Sequence, residues 1–416
     1  MVYNIFMEKF KVTIIGGGAV GLTLAAALSI AGKDILLLER GERLGRKLAA
    51  TGNGQGNVSN SALSAEHYFS SSASADKRLS SMLCAYDGKA LEEFYASLGV
   101  LLRSDERGRT YPASRQASSL SDALRFRVSA KGVNVKLGAF VSDVEKTKDG
   151  FFITAQTQEG ERRYLSETVV LCTGGKAAKN FGTDGAGYGL AQKFGHTLTP
   201  LYPSLVQLKC DVTHTKTLKG IRLNDAKVTA LSNGVKVAEA VGDIIFTDYG
   251  VSGDAIFRLS AFIADKIEGD VRLQIDMLPT LSQKELCAFL TKKRNNCPEI
   301  QPNELLGGIL NNQVGRAVCK RYANDVESLV EGIKNFTLQV KGSLGFDYAQ
   351  VTKGGVRFDE VNENLQSKKA EGLYLAGEIL DIDGECGGYN LHFAFASAFT
   401  IAQAIDEKFC KGRGQV

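Results

Sequence analysis

Glycines spaced as Gly-x-Gly-x-x-Gly follow a short apolar segment near the amino terminus, at positions 16, 18 and 21. The apolar periodicity predicts a buried strand over residues 11–15 and a helix over residues 22–31. At this spacing the first glycine permits a tight turn, the second lets backbone N–H groups reach a pyrophosphate, and the third lets helix and strand pack closely. The helix N-terminus would face the phosphates. The pattern predicts a βαβ unit that binds a dinucleotide through Gly16, Gly18, Ala19, Val20 and Gly21.

A carboxylate stands where such a unit uses one. Glu39 ends a second apolar segment, residues 35–38, at the spacing of roughly 20 residues that is typical of this motif. It can accept hydrogen bonds from ribose hydroxyls, and its charge disfavours a 2′-phosphate. The structural alternative is a glycine-rich turn that only packs. Strand, glycines, helix, second strand and acidic residue together favour dinucleotide binding, without separating FAD from NAD.

The segment after Glu39 combines basic side chains with small residues and amides. Residues 40–60 fit neither a helix nor a strand pattern, so we predict a loop. Its basic side chains can place positive charge near a diphosphate, and its amides offer further donors. The alternative is an exposed polar loop. The predicted cofactor contacts are Arg40, Arg46, Lys47, Thr51, Gly52, Asn53, Gly54 and Asn57.

Strand-like segments further along the chain separate FAD from NAD. One ends in Thr-Gly-Gly at residue 175, and another, residues 372–376, runs into a carboxylate. We expect Glu378 or Asp381 to hydrogen-bond the ribityl hydroxyls of a flavin nucleotide. The predicted contacts here are Thr173, Gly174, Gly175, Gly377, Glu378 and Asp381.

A glycine pair precedes the last apolar helix, which the sequence predicts over about residues 391–404. The pair and the helix N-terminus would face the N1/O2 edge of a flavin. That edge becomes negative on reduction, so a helix dipole there favours the reduced state. An NAD domain has no need for this element, and the sequence therefore predicts FAD, with contacts from Gly387, Gly388, Tyr389 and Asn390.

With both ends of the chain in view, the sequence resembles the family of aminoacetone oxidase-like flavoproteins, which includes the BaiN-type proteins proposed as bile-acid enone reductases. The resemblance covers nearly the whole chain. The matching pieces are VTIIGGGAVGL (12–22), GRKLAATGNG (45–54), GHTLTPLYPSLVQL (195–208), FTDYGVSG (246–253), VTKGGV (351–356) and GLYLAGEILDIDGECGGYNL (372–391).

The resemblance implies an FAD-dependent oxidoreductase in which Val141 makes a backbone contact beside the adenine. The sequence departs from the family pattern at Gln55-Gly56, where relatives usually carry Arg-Cys. It departs again at Asp254, which replaces a common Pro, and over residues 177–184. From these differences we expect cofactor binding to be retained and the substrate pocket to differ from that of the relatives.

The predicted fold class is α/β, with a Rossmann-type FAD-binding domain of the glutathione-reductase-like ββα kind. This domain is assembled from residues 1–195 and 345–416. Residues 196–344 form an inserted, mainly antiparallel β domain with a helical part over about 281–335. Alternation of apolar and polar residues over 202–276 predicts antiparallel strands in a barrel or a sandwich, and residues 133–145 predict one returning strand.

Candidates for chemistry are few, because a flavin carries the reactive atom itself. His392, at the start of the last helix, could exchange protons near neutral pH, and Tyr389 could donate a hydrogen bond. Packing is the alternative role for both. The remaining histidines, His67, His196 and His214, have no ligand-like spacing, so we interpret them as structural or surface residues and predict no metal site. Cys386 has no partner cysteine nearby in the sequence, so no dithiol role is predicted.

Composition limits the function classes. The 416 residues carry a net charge of +4 from intermixed charges, which predicts no nucleic-acid partner. Eight cysteines without a C-x-x-C pair fit a reducing cytoplasm. Residues 12–32 are long and apolar enough to raise the alternative of a signal peptide or membrane anchor, but the glycines interrupt them where a strand would become a helix. We expect a cytoplasmic protein without membrane contact; the oligomeric state is not predicted.

The preferred hypothesis is an FAD-dependent oxidoreductase that transfers a hydride between a small organic substrate and flavin N5. It either oxidises an amine with oxygen as acceptor or reduces a conjugated carbonyl with NAD(P)H as a transient donor. A non-catalytic FAD-binding redox sensor or partner-binding flavoprotein is the alternative, motivated by the missing Arg-Cys pair. An RNA-modifying flavoenzyme is a third possibility, which the modest charge disfavours.

Overall fold

The computed structural model describes residues 7–73, 75–322 and 325–410. Its backbone contacts divide the chain into two units, Met1–Leu201 with Val351–Val416, and Tyr202–Gln350. Each unit has its own hydrophobic core.

The first unit contains the dinucleotide fingerprint. Its strands before the insertion are β1 (Glu8–Ile15), β2 (Ile35–Leu38), β3 (Ser59–Asn60), β4 (Tyr68–Phe69), β5 (Leu102–Ser104), β6 (Arg109–Pro112), β7 (Asn134–Lys136), β8 (Phe140–Thr147), β9 (Gly150–Thr157) and β10 (Gly160–Leu171). Its helices there are α1 (Ala19–Ala27), α2 (Arg46–Ala50), α3 (Ala75–Ala85), α4 (Gly88–Ser97), α5 (Ala117–Ala130) and α6 (Ala186–Lys193).

The second unit carries β11 (Tyr202–Ser204), β12 (Leu208–Cys210), β13 (Arg222–Ser232), β14 (Val235–Phe246), β15 (Gly250–Ser252), β16 (Val271–Asp276) and β17 (Phe336–Ser343), with helices α7 (Asp254–Ile263), α8 (Gln283–Asn296), α9 (Asn312–Arg321) and α10 (Val326–Lys334). The chain then returns to the first unit through β18 (Val351–Lys353), β19 (Leu373–Leu375), β20 (Asp383–Gly384) and α11 (Tyr389–Cys410).

A mixed sheet organises the first unit. Along the described residues its order is β7-β2-β1-β10-β9-β8, and β19 also pairs with β10. The pairings of β1 with β2 and β10, of β2 with β7, and of β10 with β19 are parallel. The amino-terminal part of β10 pairs antiparallel with β9. The carboxyl ends of β1, β2, β10 and β19 therefore meet at one edge, which is where ligands bind in open α/β sheets.

Helix α1 is apolar on every side because it is enclosed, with residues 20–26 all buried. It packs against α5 and α11. The helix ends at Ala27, earlier than the predicted residue 31, and the Lys131 ammonium donates to the carbonyl oxygens of Ala25 (3.0 Å), Ala26 (3.4 Å) and Leu28. A cation at this end of a helix satisfies carbonyls that lack intrahelical partners. Within the described part of the chain, no helix is long and apolar enough to cross a membrane.

The second unit is built around a closed antiparallel barrel in the order β12-β15-β14-β13-β16-β17. Alternate residues of β16, Val271, Leu273 and Ile275, are fully buried, as the period of two predicts for strands with one buried face. Since the sheet closes on itself, the structure decides between the two predicted arrangements in favour of a barrel. The prediction of an α/β Rossmann-type fold with an antiparallel β insertion is confirmed.

Several local predictions were wrong. Residues 254–263, inside the segment predicted as strands, form α7, because Ile256, Leu259 and Ile263 follow a helical spacing and bury one face. Residues 46–50 of the predicted loop form α2, which starts after Gly45 in a left-handed conformation. The single strand predicted over residues 133–145 is two strands, separated by a turn at Gly138 with φ 63°.

Candidate functional site

The glycine turn between β1 and α1 is fixed by contacts within the protein at two of its positions. Gly16 has φ 105°, and a Cβ there would lie 2.4 Å from the carbonyl oxygen of Cys172. A Cβ at Gly21 would lie 1.9 Å from the carbonyl oxygen of Gly16. Any side chain at either position would collide with backbone, so these glycines are required for β1, α1 and β10 to pack together.

Gly18 differs from its neighbours, because no described protein atom lies within 4 Å of the position that its Cβ would occupy. Its φ of −78° and ψ of −159° are open to other residues, and it is the N-cap of α1. Neither packing nor backbone conformation explains a glycine here. An open cradle at a helix N-terminus fits a phosphate group approached closely by backbone N–H donors. The residues of this turn therefore fit a dinucleotide.

Glu39 lies beside this cradle at the end of β2. Its Oε2 accepts from the N–H of Gly17 at 2.7 Å, and its Oε1 accepts from the N–H of Gly41 at 2.6 Å. The two bonds hold the carboxylate at the sheet edge next to the glycine turn. This is the position from which a carboxylate binds the ribose hydroxyls of an adenosine.

Basic side chains that the sequence assigns to the cofactor all contact one segment, residues 177–184, which we call the clasp segment. The contacts are Arg40 Nη1 to Asp184 Oδ1 (2.9 Å), Arg46 Nη2 to the carbonyl oxygen of Asn180 (3.0 Å) and Lys47 Nζ to the carbonyl oxygen of Ala177 (3.4 Å). They tie the segment after β10 to the segment after β2. Only one feature of the sequence indicated these contacts, which was that residues 177–184 depart from the family pattern.

We expect Asp184→Ala to weaken FAD binding while changing the stability of the apoprotein little. Its ion pair with Arg40 is partly exposed, and such pairs contribute roughly 0.2–1 kcal/mol, which corresponds to at most about a fivefold change in affinity. Fluorescence titration of the apoprotein with FAD measures the change. Glu161→Ala, which removes the exposed Arg163–Glu161 pair on β10, is the matched control. An unchanged affinity in Asp184→Ala would contradict a role for the clasp segment in retaining the cofactor.

A partly buried network links the carboxyl ends of β10 and β19. Lys47 Nζ lies 2.8 Å from Glu378 Oε2, and Glu378 Oε1 accepts from the N–H of Thr352 at 2.9 Å. The Thr352 hydroxyl oxygen in turn accepts from the N–H groups of Lys176 (2.8 Å) and Ala177 (3.0 Å). Glu378 is thereby held at the same edge as the glycine turn. Thr352 was missed by the sequence reasoning, since an isolated Thr carries no motif signal.

The remaining predicted cofactor residues lie at the ends of β10 and β19, where packing and backbone conformation also constrain them. A Cβ at Gly175 would lie 2.5 Å from the Thr352 hydroxyl oxygen, and one at Gly377 would lie 2.5 Å from Val20 Cγ2. Gly174 has φ 71° and Gly377 has φ 72°. Thr173 lies against α6, where a Cβ at Gly187 would fall 1.8 Å from its hydroxyl oxygen.

Residues of the loop after α2 have left-handed backbone conformations. Gly52 and Asn53 have φ 57° and 53°, and no described atom lies within 4 Å of a Cβ at Gly54. The Thr51 hydroxyl donates to the carbonyl oxygen of Leu48 at 2.7 Å. At Gly56, where relatives usually carry Cys, a Cβ would lie 2.9 Å from both Ala117 Cα and Leu120 Cδ1. The structure therefore has no room for a thiol at that position without movement of α5.

The carboxy-terminal glycine pair is held against β3. Asn60 Nδ2 donates to the carbonyl oxygen of Gly387 at 3.0 Å, and a Cβ at Gly388 would lie 2.2 Å from the carbonyl oxygen of Ser59. With its amide oriented to satisfy both neighbours, Asn57 donates to Ser59 O (3.0 Å) and accepts from Gly388 N–H (3.2 Å). Asn390 closes the loop by accepting from the N–H of Gly384 (2.8 Å) and donating to its carbonyl oxygen (2.7 Å). Predicted residues from both ends of the chain thus meet at the start of α11.

Asp381, one of the predicted cofactor residues, has its carboxylate engaged by other groups of the protein. Asp381 is buried and accepts from the N–H of Ser71 at 3.0 Å and from the Ser71 hydroxyl, and burial raises the pKa of its carboxyl group. Its bonds hold the segment after β4, so Glu378 is the better placed of the two carboxylates predicted to bind the ribityl group. Val141 is buried in β8 opposite Ala155.

His392 is enclosed and both of its ring nitrogens are occupied. Nδ1 lies 2.9 Å from the Ser59 hydroxyl, and Nε2 lies 2.8 Å from the carbonyl oxygen of Tyr86. A carbonyl can only accept, so Nε2 carries the proton and Nδ1 accepts from Ser59. Burial lowers the pKa of the imidazole. These contacts favour the packing role for His392 over the catalytic one.

A depressed His392 pKa predicts a loss of stability in acid. Its stabilisation is present above the unfolded pKa of about 6.5 and is lost progressively as the pH falls from that value through the lower folded-state pKa, by roughly 1.4 kcal/mol per pH unit for each such histidine. His196, whose pKa burial also lowers, adds to the same slope. Urea unfolding between pH 8 and pH 5 measures this effect. As the pH falls, the free energy of unfolding should decrease less steeply in His392→Asn than in the original protein. An unchanged slope would show that His392 binds its proton equally well in the folded and unfolded states.

Comparison with known proteins places the chain among relatives of similar length. It is 36% identical over 415 residues to a 3-dehydro-bile acid delta(4,6)-reductase of Clostridium scindens, covering 96% of this chain and 99% of that protein. It is 26% identical over 413 residues to a ribosomal RNA dihydrouridine synthase of Haemophilus influenzae, covering 95% and 98%.

Solved structures share the fold at low identity. A 3-ketosteroid-delta4-(5alpha)-dehydrogenase from Rhodococcus jostii superposes with a TM-score of 0.54 at 15% identity, covering 97% of this chain and 98% of that one. A 3-ketosteroid delta1-dehydrogenase from Sterolibacterium denitrificans gives 0.52 at 12% identity, covering 97% and 100%. The profile of the HI0933-like protein Rossmann domain matches residues 10–404. The chain therefore belongs to the HI0933-like family, as the sequence motifs of its two ends predicted.

Proposed function

We propose that this protein binds FAD and uses it to reduce the carbon–carbon double bond of a small α,β-unsaturated carbonyl compound. The observation that supports the cofactor is the cradle at Gly18, a glycine required by neither packing nor backbone conformation. Full-length similarity to a bile acid delta(4,6)-reductase at 36% identity supports the reaction class. A planar polycyclic enone is accordingly the first substrate class to test.

The residues at the sheet edge would hold the two halves of the cofactor. The N-terminus of α1 would bind the pyrophosphate, and Glu39 the adenosine ribose. Glu378, held by Lys47 and Thr352, would accept hydrogen bonds from ribityl hydroxyls. The start of α11 would place its partial positive charge at the pyrimidine edge of the flavin ring. When bound, FAD supplies hydride transfer at N5.

The proposal also covers the electron donor and the cellular location. We expect NADH or NADPH to reduce the flavin from a transient position, because residues 1–416 contain one complete dinucleotide fingerprint with its strand and acidic residue. A cytoplasmic location stays a prediction from the cysteine usage. Direct reduction of the flavin by an amine would instead favour the oxidase reaction that the sequence left open.

The first experiment is an absorbance spectrum of the purified protein, followed by anaerobic addition of NADH or NADPH and then of an enone. We expect the oxidised-flavin band to be present, to bleach with one nucleotide, and to return with the enone. Reduction faster than about once per second, within the ordinary range of enzyme turnover, would exclude the redox-sensor alternative. Absence of any bound or reconstitutable flavin would overturn the proposal.

Uridine reduction in RNA is the second candidate, and the 26% identity to ribosomal RNA dihydrouridine synthases over 413 residues favours it. Both reactions add hydrogen across a double bond conjugated to a carbonyl. They differ in the size of the substrate, so the reduced protein should be offered a steroid enone and, separately, ribosomal RNA. Return of the oxidised-flavin band with RNA alone would favour the second candidate.

A further inference from the structure

A cluster of titratable side chains lies where β4 pairs with β20. Gly384 pairs with Tyr68, and one residue beyond this pair the N–H of Glu385 donates to the carbonyl oxygen of His67 at 2.9 Å. The backbone pairing brings the side chains together, with His67 Nδ1 lying 3.5 Å from Glu385 Oε1. The His67 ring also stacks on Tyr389, with ring centroids 4.5 Å apart and planes 26° apart. We call His67, Glu385 and Tyr389 the His67 cluster.

Two members of the His67 cluster flank the glycine pair that the proposed function assigns to the flavin ring. Glu385 precedes the pair and Tyr389 follows it, and a Cβ at Gly387 would lie 3.3 Å from Tyr389 Cε2. His67 comes from the segment before β4 and packs on this loop through Tyr389 and Glu385. Its imidazole therefore lies beside residues that we assign to the pyrimidine edge of the flavin.

The environment of His67 differs from that of the two enclosed histidines, His196 and His392. His392 is enclosed between Ser59 and Tyr86, and His196 is enclosed between Glu360 and Ser367. The His67 side chain keeps 31% of its surface exposed while a carboxylate faces Nδ1. Nδ1 has no hydrogen-bond partner among the described residues, and the Glu385 carboxylate is the group that faces it. A carboxylate at this nitrogen orients the imidazole and leaves Nε2 for a reacting molecule.

We propose that His67 is the proton donor of the reduction, a catalytic residue, and that Glu385 is its positioning residue. The inference rests on the proposed function. Bound, reduced FAD would supply the hydride that bonds to the β-carbon of the enone, and it would be left oxidised. The π electrons of the broken double bond form a new C–H bond at the α-carbon with the proton from His67 Nε2. The substrate leaves saturated, and the neutral imidazole regains its proton from solvent.

Tyr389 is the competing donor within the cluster, and its surroundings favour a packing role. The residue is 5% exposed, its carbonyl oxygen accepts from the Tyr68 hydroxyl at 3.0 Å, and the Tyr68 ring packs edge-on against its own. Burial raises the pKa of its hydroxyl, and the Glu385 carboxylate raises it further. A phenol in these surroundings gives up its proton less readily than an imidazolium, so we assign Tyr389 to holding the His67 ring in place.

The first test reads the protonation of His67 without a reaction. The chain has four histidines, so a long-range ¹H–¹⁵N spectrum of the ¹⁵N-histidine-labelled protein with its cofactor bound is simple, and His67→Gln assigns the signals. Neutral His67 should carry its proton on Nδ1, and Glu385→Gln should shift its Nδ1 signal while leaving those of His196 and His392 in place. A His67 proton on Nε2 in the original protein would overturn the positioning role of Glu385.

The second test separates proton donation from hydride transfer. Protein reduced in advance is mixed with an enone or with ferricyanide, a one-electron acceptor that needs no proton. His67→Gln should slow reoxidation by the enone at least about 100-fold, the lower range for general acid catalysis, and leave reoxidation by ferricyanide and FAD affinity unchanged. His214→Gln, at an exposed position in the second unit, is the matched control, and its rates with both acceptors should not change. Tyr389→Phe removes the hydroxyl of the competing donor and keeps the ring, so it should slow the enone reaction less than His67→Gln does.

Each outcome discriminates. If His67→Gln reoxidises normally with an enone that oxidises the original reduced protein, the inference is overturned and the proposed function stands. If Tyr389→Phe loses the rate and His67→Gln keeps it, Tyr389 is the donor instead. If no enone reoxidises the original protein, the proposed function fails and the inference fails with it. If His67→Gln loses FAD or has a lower melting temperature, His67→Asn replaces it and is mixed with the same two acceptors. Reoxidation of His67→Asn by the enone at a rate within threefold of that of the original protein would overturn the inference.

Discussion

Gly18→Val should remove FAD binding from a protein that still folds. The new side chain would enter the space at the N-terminus of α1 that contains no described protein atom, and it would block a phosphate from the backbone N–H groups. Hydrogen bonds to a charged group contribute roughly 1.5–3 kcal/mol each, so losing two of them lowers the affinity by at least about 100-fold. Fluorescence titration of the apoprotein with FAD measures the loss.

Stability measurements distinguish this effect from unfolding. Gly18 has an extended backbone conformation that valine adopts readily, and replacing Gly by a poorer N-cap residue costs at most about 1 kcal/mol. The melting temperature of the apoprotein should therefore fall by no more than about 2–4 °C. Gly21→Ala is the contrast, because its Cβ would lie 1.9 Å from the carbonyl oxygen of Gly16 and overpacking of this kind costs roughly 1–3 kcal/mol. If Gly18→Val binds FAD normally, the phosphate does not lie at this turn.

Gly388→Ala should disrupt the carboxy-terminal end of the site. At φ 102° an L-residue is strained, and the new Cβ would lie 2.2 Å from the carbonyl oxygen of Ser59. Strain and collision together should cost roughly 2–5 kcal/mol. Because the loop moves away from β3 to relieve the collision, we expect weaker flavin binding as well. Urea unfolding of the apoprotein and the absorbance spectrum of the FAD-loaded protein measure the two effects.

Gly132→Ala, just after α5 and outside the predicted cofactor residues, provides the matched control for Gly388→Ala. Its φ of 68° is also left-handed, but no described atom lies within 4 Å of the new Cβ. Only conformational strain applies, so the free energy of unfolding should fall by about 1–2 kcal/mol. Equal losses for the two variants would show that the contact with Ser59 does not constrain the loop.

The predictions that came closest to the structure concern single continuous segments. The turn after β1 was placed correctly because two of its glycines meet local requirements, a positive φ at Gly16 and close packing at Gly21. Strand β2 has the predicted bounds, residues 35–38, because four consecutive apolar residues between turn signals leave few other structures. Family membership followed from the motifs at the two ends of the chain and was confirmed.

Predictions were less accurate where the spacing of apolar residues had to be recognised over a short segment. Residues 254–263 were assigned to strands, although their buried positions follow a helical spacing. The segment is short and mostly apolar, so both periods fit it about equally until one face meets a core. The end of α1 was also misplaced, since the Lys131 ammonium that satisfies its last carbonyls comes from a distant segment.

The sequence by itself determined the glycine turn, the acidic residue at the end of β2, the carboxy-terminal glycine pair and the family. These features depend on backbone conformation and on order along the chain, which a sequence states directly. Tertiary structure decided the contacts of the clasp segment with Arg40, Arg46 and Lys47, the enclosure of His392, and the pairing of His67 with Glu385. Each joins residues far apart in the chain, and only the pairing of strands and the packing of helices determine which distant side chains meet.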